Sequence, residues 1–543
     1  MIPSHRNQSV NVHQFAMVPK AEVPRSSFLR QHTHKTTFDE NYLVPIYVDE
    51  VLPGDTFSLS MTAFARLTTP IFPVMDNMYL DSFFFFVPCR ILWNNWVKLM
   101  GEQANPGDSI AFTVPSFTSP VGGWITNSLH DYFGLPCVGQ VGGAATVAGV
   151  NSLPFRAYNK IWNDWFRDEN LQTAAFMDAT QDTDSSGNYA LLKRGKRHDY
   201  FTSCLPWTQK GGASITVPIA GSAIVKTSSA ANYTGVQQAV QWLQSTTGTG
   251  FSNNSTVMNG SQLRTSVTAT GASTETGAYP TNLYADLSTA TSVTINQLRQ
   301  SFQIQKLLER DARGGTRYVE LIRAHWGVVN PDFRLQRSEY LGGGTTAVNI
   351  SPIPQTDHTP TVGTPLGTLA AYGTMLTKGH GFTQSFTEHG YVIGLANIRA
   401  DITYQQGLRK LWSRATRYDF YFPAFAMLGE QAVLNKEIYT DGSANDALTF
   451  GFNERWAEYR YFPSMITGQF KSYYATPLDA WHLAEKFTAL PTLAATFITA
   501  NAPVPRVSAV PVTGSHFIFD GFFNIKTTRA MPLYSVPGLI DHF

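Results

Sequence analysis

The chain has 543 residues, well past the roughly 250–300 at which a single hydrophobic core stops growing, so more than one structural unit is expected. With 43% hydrophobic and 13% aromatic residues a disordered chain is excluded, and 42 Gly and 30 Pro favour an all-β body with long loops over long helices. Only 15% of residues are charged, against about 25% in an average soluble domain, so much of the surface is expected to lie against other protein; the net charge of +1 argues against a strongly basic nucleic-acid binder.

Cys89, Cys137 and Cys204 are far apart and form no CxxC pair, which points to buried thiols in a reducing compartment. Residues 1–8 lack the apolar core of a signal peptide. The densest apolar run, residues 83–88, is far too short to span a bilayer, so no membrane insertion is expected.

Residues 1–35 carry Arg6, Lys20, Arg25, Arg30 and Lys35 against the single acid Glu22, with little periodicity, and read as an extended basic arm. From Asp55, apolar Phe57, Leu59, Met61 and Ala63 alternate with Ser58, Ser60 and Thr62, the pattern of a strand with one buried face. Residues 79–87, with Phe83, Phe84, Phe85 and Phe86 in succession, predict a strand buried on both faces. Helical spacing places Ile161, Trp162, Trp165 and Phe166 on one face of residues 159–170. Thr294 and Gln297 form a capping-box pattern for a second helix that stops at Gly314-Gly315, and a third spans 316–326, closed by Gly327. Between them, 48 of the 84 residues from 211 to 294 are Gly, Ala, Ser or Thr and only four are charged. This segment keeps Tyr233, Trp242, Phe251, Tyr279 and Tyr284, and predicts an ordered insertion rather than a linker. Further strands are expected at 390–404, 417–422 and 515–525. Strands spread along the chain, with helices confined to connections, indicate an antiparallel sandwich.

Catalytic constellations are missing: there is no GxSxG, no P-loop, no HExxH and no zinc-spaced cysteine-histidine cluster, and no cofactor is implied. Asp182, Asp184, Ser186 and Gly187 match the opening of a calcium loop, but Lys193 stands where a bidentate Glu is required, so a polar turn is expected. His32 and His34 would share a strand face without a third ligand. Basic clusters are clearer: residues 193–198, seven Lys or Arg between Lys306 and Arg337, and Arg399, Arg409, Lys410, Arg414 and Arg417 opposed only by Asp401. The last is interleaved with Tyr404, Trp412 and Tyr418, suited to stacking on unpaired bases. These cations serve either as phosphate contacts or as ion-pair partners for the 39 acids.

Residues 61–96, 154–171, 196–211 and 307–343 contain SFFFFVPCRILWNNW, PFRAYNKIWNDWFRDENL, KRHDYFTSCLPWTQKG and LLERDARGGTRYVELIRAHWGVVNPDFRLQRSEYLGG. They resemble the major capsid proteins of the gokushovirus branch of the microviruses. The resemblance continues through 399–433 and 453–471 and covers nearly the whole chain outside the Ser/Thr-rich insertion. It implies a mainly β, eight-stranded antiparallel jelly roll with long helix-bearing loops, assembled through pentamers into a T=1 shell of about sixty copies around circular single-stranded DNA. It also implies a division into a basic arm (1–35), a first part of the jelly roll (36–207), an insertion (208–295) and the remainder of the jelly roll (296–543). The insertion is expected to project at the threefold axes toward a host cell-surface receptor, presenting Tyr233, Trp242, Phe251, Tyr279 and Tyr284. Arg6, Lys20, Arg25, Arg30, Lys35 and the 399–417 cluster are expected to face DNA. A small basic DNA-binding protein, a scaffold protein and a minor pilot protein of the same phage are the implied partners, and the location is the virion, assembled in the bacterial cytoplasm.

Two other classes remain open to the residues themselves. A secreted or surface β-sandwich that binds or hydrolyses polysaccharide would use the aromatics to stack on sugar rings, and predicts a monomer or small oligomer. A cytoplasmic single-strand nucleic-acid binder would use residues 399–418, and predicts tight, salt-dependent binding by the free subunit.

Overall fold

A computed structural model describes residues 24–211, 295–356, 366–510 and 514–534, together with the backbone of short strands between 224 and 286. It divides into two units, one formed by Met1–Thr208 with Asp311–Phe543 and the other by Gln209–Arg310.

The larger unit is built on a β-sandwich. Its strands, among the described residues, are β1 (Arg25–Phe38), β2 (Val44–Val51), β3 (Thr56–Leu67), β4 (Met78–Pro88), β5 (Glu339–Ala347), β6 (Asn349–Pro354), β7 (Leu369–Ser385), β8 (Gly390–Ala400) and β9 (Phe517–Ala530). One sheet runs β1-β9-β3-β7-β6 and the other β5-β4-β8-β2; every sandwich pairing is antiparallel. Successive strands β1 to β4 alternate between the sheets, and the last strand pairs with the first, which is jelly-roll connectivity. The two sheets hold nine strands among the described residues, β6 being hydrogen-bonded to β7 at one edge of the first sheet.

Side-chain period decides what each sheet buries. In β3 the odd residues Phe57 to Leu67 are buried and the even ones face out, as the alternation predicts. In β4 the four phenylalanines divide between two cores. Phe84 and Phe86 enter the sandwich with Phe57, Met61 and Phe523. Phe85 turns the other way, into a second core with Trp93, Leu153, Phe155 and Trp162. β8 does the same, sending Val392 and Ile398 inward and Ile393 and Leu395 outward. The four-stranded sheet is therefore covered on its outer face by the long connection after β4. At Gly379 β7 carries a bulge, with the register slipping between Lys378 and His380; the φ of +74° there is one that glycine adopts without strain.

Helices occupy the connections. α1 (Leu153–Ile161) starts earlier than the aromatic stripe suggested, because Pro154 sits in the first turn where its missing N–H costs nothing, and it runs into a π-turn at Trp162–Phe166. α2 (Ile295–Gly314) and α3 (Tyr318–Trp326) lie where expected, α3 closing on left-handed Gly327.

Two expectations need correction. Residues 417–422 are not a strand: Asp419 accepts hydrogen bonds from the backbone of Ala415 (3.0 Å) and Thr416 (2.7 Å) and from the Thr416 hydroxyl (2.9 Å), and this local capping winds Arg417–Asp419 into a 3₁₀ turn. The arm predicted over 1–35 is sheet from Arg25 onward, its pattern hidden because the inward-facing positions include polar Arg30, His32 and His34. His32 stacks on Phe523 with ring centroids 5.1 Å apart.

The smaller unit pairs its strands in a nested order. Ile224–Thr227 pairs with Leu283–Asp286, Trp242–Gln244 with Ala278–Pro280, and Thr256–Asn259 with Gln262–Thr265, all antiparallel.

Candidate functional site

The candidate DNA-facing residues separate into three kinds of environment. Arg6 and Lys20 lie outside the described residues. Arg30 bonds Thr527 (2.8 Å) and pairs with Asp49, and Lys35 pairs with Asp520 at 3.3 Å. Arg25 donates to the carbonyl of Gly54.

Arg399 is held inside the subunit. Its Nε meets Asp81 on β4 at 2.7 Å, while Thr345 donates to the same carboxylate at 2.7 Å and Arg194 pairs with it from the connection after β4. Burial pushes the Asp81 carboxyl upward, yet these donors and the Arg194 charge hold it below the usual range. The guanidinium of Arg399 also lies over Tyr79, 4.5 Å from the ring centre. In this environment Arg399 ties strands together.

The remainder of that cluster sits among aromatics. Arg409 lies 3.8 Å from the centre of the Phe462 ring, and Arg417 5.2 Å from that of Phe422. Arg414 is paired with Glu458 at 3.1 Å. Lys410 donates to the carbonyl of Ala432 (3.2 Å) and stands 3.9 Å from Glu437, a carboxyl raised by burial against the opposing charge of Lys410. Tyr404 is buried, its hydroxyl donating to Asp199 at 2.6 Å, so it is not placed to stack on a base; a third core around Tyr200, Phe201 and Val433 absorbs it. Trp412 and Tyr418 are exposed.

These two belong to a stretch of chain rich in exposed apolar side chains. Trp412 is 72% exposed, Phe462 69% and Met427 96%, with Phe420, Tyr421, Tyr459 and Tyr473 also uncovered. Scattered exposed apolar residues are normal, but a run of this density within 411–474 is the mark of a contact surface.

The remaining clusters of sequence interest are structural. Asp184 accepts two hydrogen bonds from Arg156, at 2.8 and 2.9 Å, with both side chains fully buried and Tyr189 adding a third at 2.7 Å. Asp182 accepts from Trp93 (2.7 Å) and Asn95 (3.0 Å). The calcium-like opening is thus occupied by the scaffold, as a polar turn. Burial raises the Cys89 thiol to about 12 and the half-buried Cys137 to about 11, and Cys204 is raised as well, which favours the protonated thiol at all three.

Sequence reasoning missed His516. Its Nδ1 stands 3.0 Å from Glu40 and 3.2 Å from Asp39, and its backbone N–H donates to Asp39 at 3.1 Å. Hydrogen bonds to Asp39 and Glu40 raise the imidazole to about 9, against the opposing effect of burial. The trio fastens the end of β1 to the start of β9. No local pattern joins residues so far apart in sequence.

The five spike candidates divide likewise. Trp242, Tyr279 and Tyr284 are strand residues of the smaller unit, opposite Pro280, Leu243 and Lys226 respectively, whereas Tyr233 and Phe251 fall outside the described residues.

A jelly roll with a loop layer over one sheet and many exposed apolar side chains between 411 and 474 has the character of a structural protein that neighbours cover. Residues 16–539 match the family described as Capsid protein (F protein), and the chain belongs to that family. It is 48% identical to the capsid protein VP1 of Bdellovibrio phage phiMH2K, over 98% of this chain and 99% of that one. Similarity to VP1 of Chlamydia phage 1 is 43%, covering 99% and 100% of the two chains, and to VP1 of Spiroplasma virus 4 it is 37%, covering 98% of each. The protein is a structural major capsid protein of a gokushovirus-type microvirus, a component of the virion and not an enzyme, and it assembles with copies of itself into a shell.

Proposed function

We propose that copies of this chain assemble through pentamers into a T=1 shell of about sixty subunits enclosing a circular single-stranded DNA genome. The observation that carries the assembly reading is the exposed apolar stretch that includes Trp412, Met427 and Phe462: apolar area of this kind is stabilised by about 25 cal/mol per Å² when a neighbour covers it. Arg409 and Arg417, which among the described residues carry aromatic rather than acidic partners, are the members of the 399–417 cluster best suited to phosphate. The segment 208–295 is read as the outward threefold spike that meets a host receptor, because it is poor in charge and can surround an axis without stacking like charges. A small basic DNA-binding protein, a scaffold protein and a pilot protein would complete the particle.

Analytical sedimentation with negative-stain imaging, on the protein expressed with and without its phage's other structural genes, tests the reading. Uniform closed shells are expected in at least the co-expressed sample; a persistent monomer in both would overturn it. Particles lacking residues 211–294 are expected to form yet fail to adsorb to host cells, and unchanged adsorption would remove the spike role.

A further inference from the structure

Among the described residues nothing covers the outer face of the five-stranded sheet, and its chemistry is unusual. Along β9, β3 and β7 the outward positions mix Ser, Thr and Asn with the apolar side chains Phe64, Phe522, Ile518, Tyr372 and Leu376 and a set of cations. Strand register fixes their arrangement. Phe522 and Lys378 both lie opposite Thr62, one on each side, and Lys526 lies opposite Ser58. Phe64 is the diagonal neighbour of Phe522, about 7 Å away by strand geometry. The Arg66 guanidinium is 5.0 Å from the centre of the Phe64 ring. Asp520, an acid on this face, is paired with Lys35. Arg66, Lys378 and Lys526 have no ion-pair partner among the described residues.

We propose that this face is a binding surface for packaged single-stranded DNA, with unpaired bases stacking on Phe64 and Phe522 and phosphates meeting Arg66, Lys378 and Lys526. Exposed aromatics on a sheet flanked by unpaired cations and hydroxyl groups are a sequence-tolerant platform for single strands. A protein partner fits less well: Ile518, Tyr372 and Leu376 add apolar area, but the centre of a protein interface is depleted in lysine, and Lys378 and Lys526 stand on this face without an acid to pair with among the described residues. The surface is separate in sequence from the 399–417 cluster, and the inference rests on the capsid reading above.

Ultraviolet cross-linking of intact DNA-containing particles, followed by digestion and mass spectrometry, tests it. Nucleotide adducts are expected on the peptides bearing Phe64 and Phe522. Shells of the triple variant Arg66→Gln, Lys378→Gln, Lys526→Gln should form but release DNA at lower salt; with about 0.7 in log–log salt slope per phosphate contact, three lost contacts lower the slope by about 2. If the triple variant fails to form shells, the wild-type cross-links decide. Adducts confined to other segments would overturn the inference while leaving the capsid reading intact. Hydroxyl-radical footprinting that finds the face equally protected in empty and filled shells would also overturn it, assigning the face to a contact between copies. Failure of wild-type protein to form any shell would instead sink the capsid reading on which it stands.

Discussion

The two sheets of the sandwich share one core and differ in what lies on their backs. The four-stranded sheet is buried on both sides, so β4 and β8 are apolar almost without interruption, and Phe85, Ile393 and Leu395 anchor a second layer. On the five-stranded sheet β3 and β9 alternate strictly, and the outward residues meet solvent. The same strand geometry thus yields either a scaffold for a loop layer or a free surface. What separates them is whether a long connection folds back with its own apolar side chains.

Substitutions on the two sides should differ sharply. The largest effect is expected beneath the covered sheet: Asp184→Ala leaves Arg156 charged, buried and unpaired, a loss of about 3–5 kcal/mol in urea unfolding of the subunit or outright insoluble expression. Phe85→Ala, opening a cavity between the sheet and its loop layer, should cost about 3–4 kcal/mol by the same measurement. If either variant unfolds like wild type, the loop layer is not a second core.

The seam between β1 and β9 should respond to pH. Because His516 is raised to about 9 from an ordinary value near 6.5, its pairing with Asp39 and Glu40 contributes fully below about pH 6.5 and is lost as pH rises through 9. Urea unfolding between pH 6 and 10 should show a decline on the order of 3 kcal/mol, absent in His516→Gln. A flat profile in wild type would remove the ion-pair account. The smallest effect belongs to the bare face: Phe64→Ser should change subunit stability by no more than about 0.5 kcal/mol, and a loss comparable to that of Phe85→Ala would show that the face is not free.

Strands with a clean period were legible. β3 and β9 alternate, and β4 is a short run too apolar for a one-sided strand, so all three stood out in the sequence. β7 did not, because Gly373, Gly379 and Gly381 interrupt its pattern, the last two beside the bulge. β1 was hidden by polar residues at its inward positions. Among the candidate site residues, local positive charge could be read directly, but not its partners: Arg399 and Asp81 are joined across neighbouring strands, and Arg414 finds Glu458 across a loop.

By itself, the sequence determined that the chain is folded, mainly β and built on antiparallel strands, and its motifs carried the family, because hydrophobic period and local residue order are properties of short segments. Only the tertiary structure decided which cations are neutralised inside the subunit, which aromatics lie uncovered and which sheet face, among the described residues, stays bare. Those outcomes depend on contacts between residues hundreds of positions apart, such as His516 with Glu40, and on the register that brings Phe522 and Lys378 to either side of Thr62.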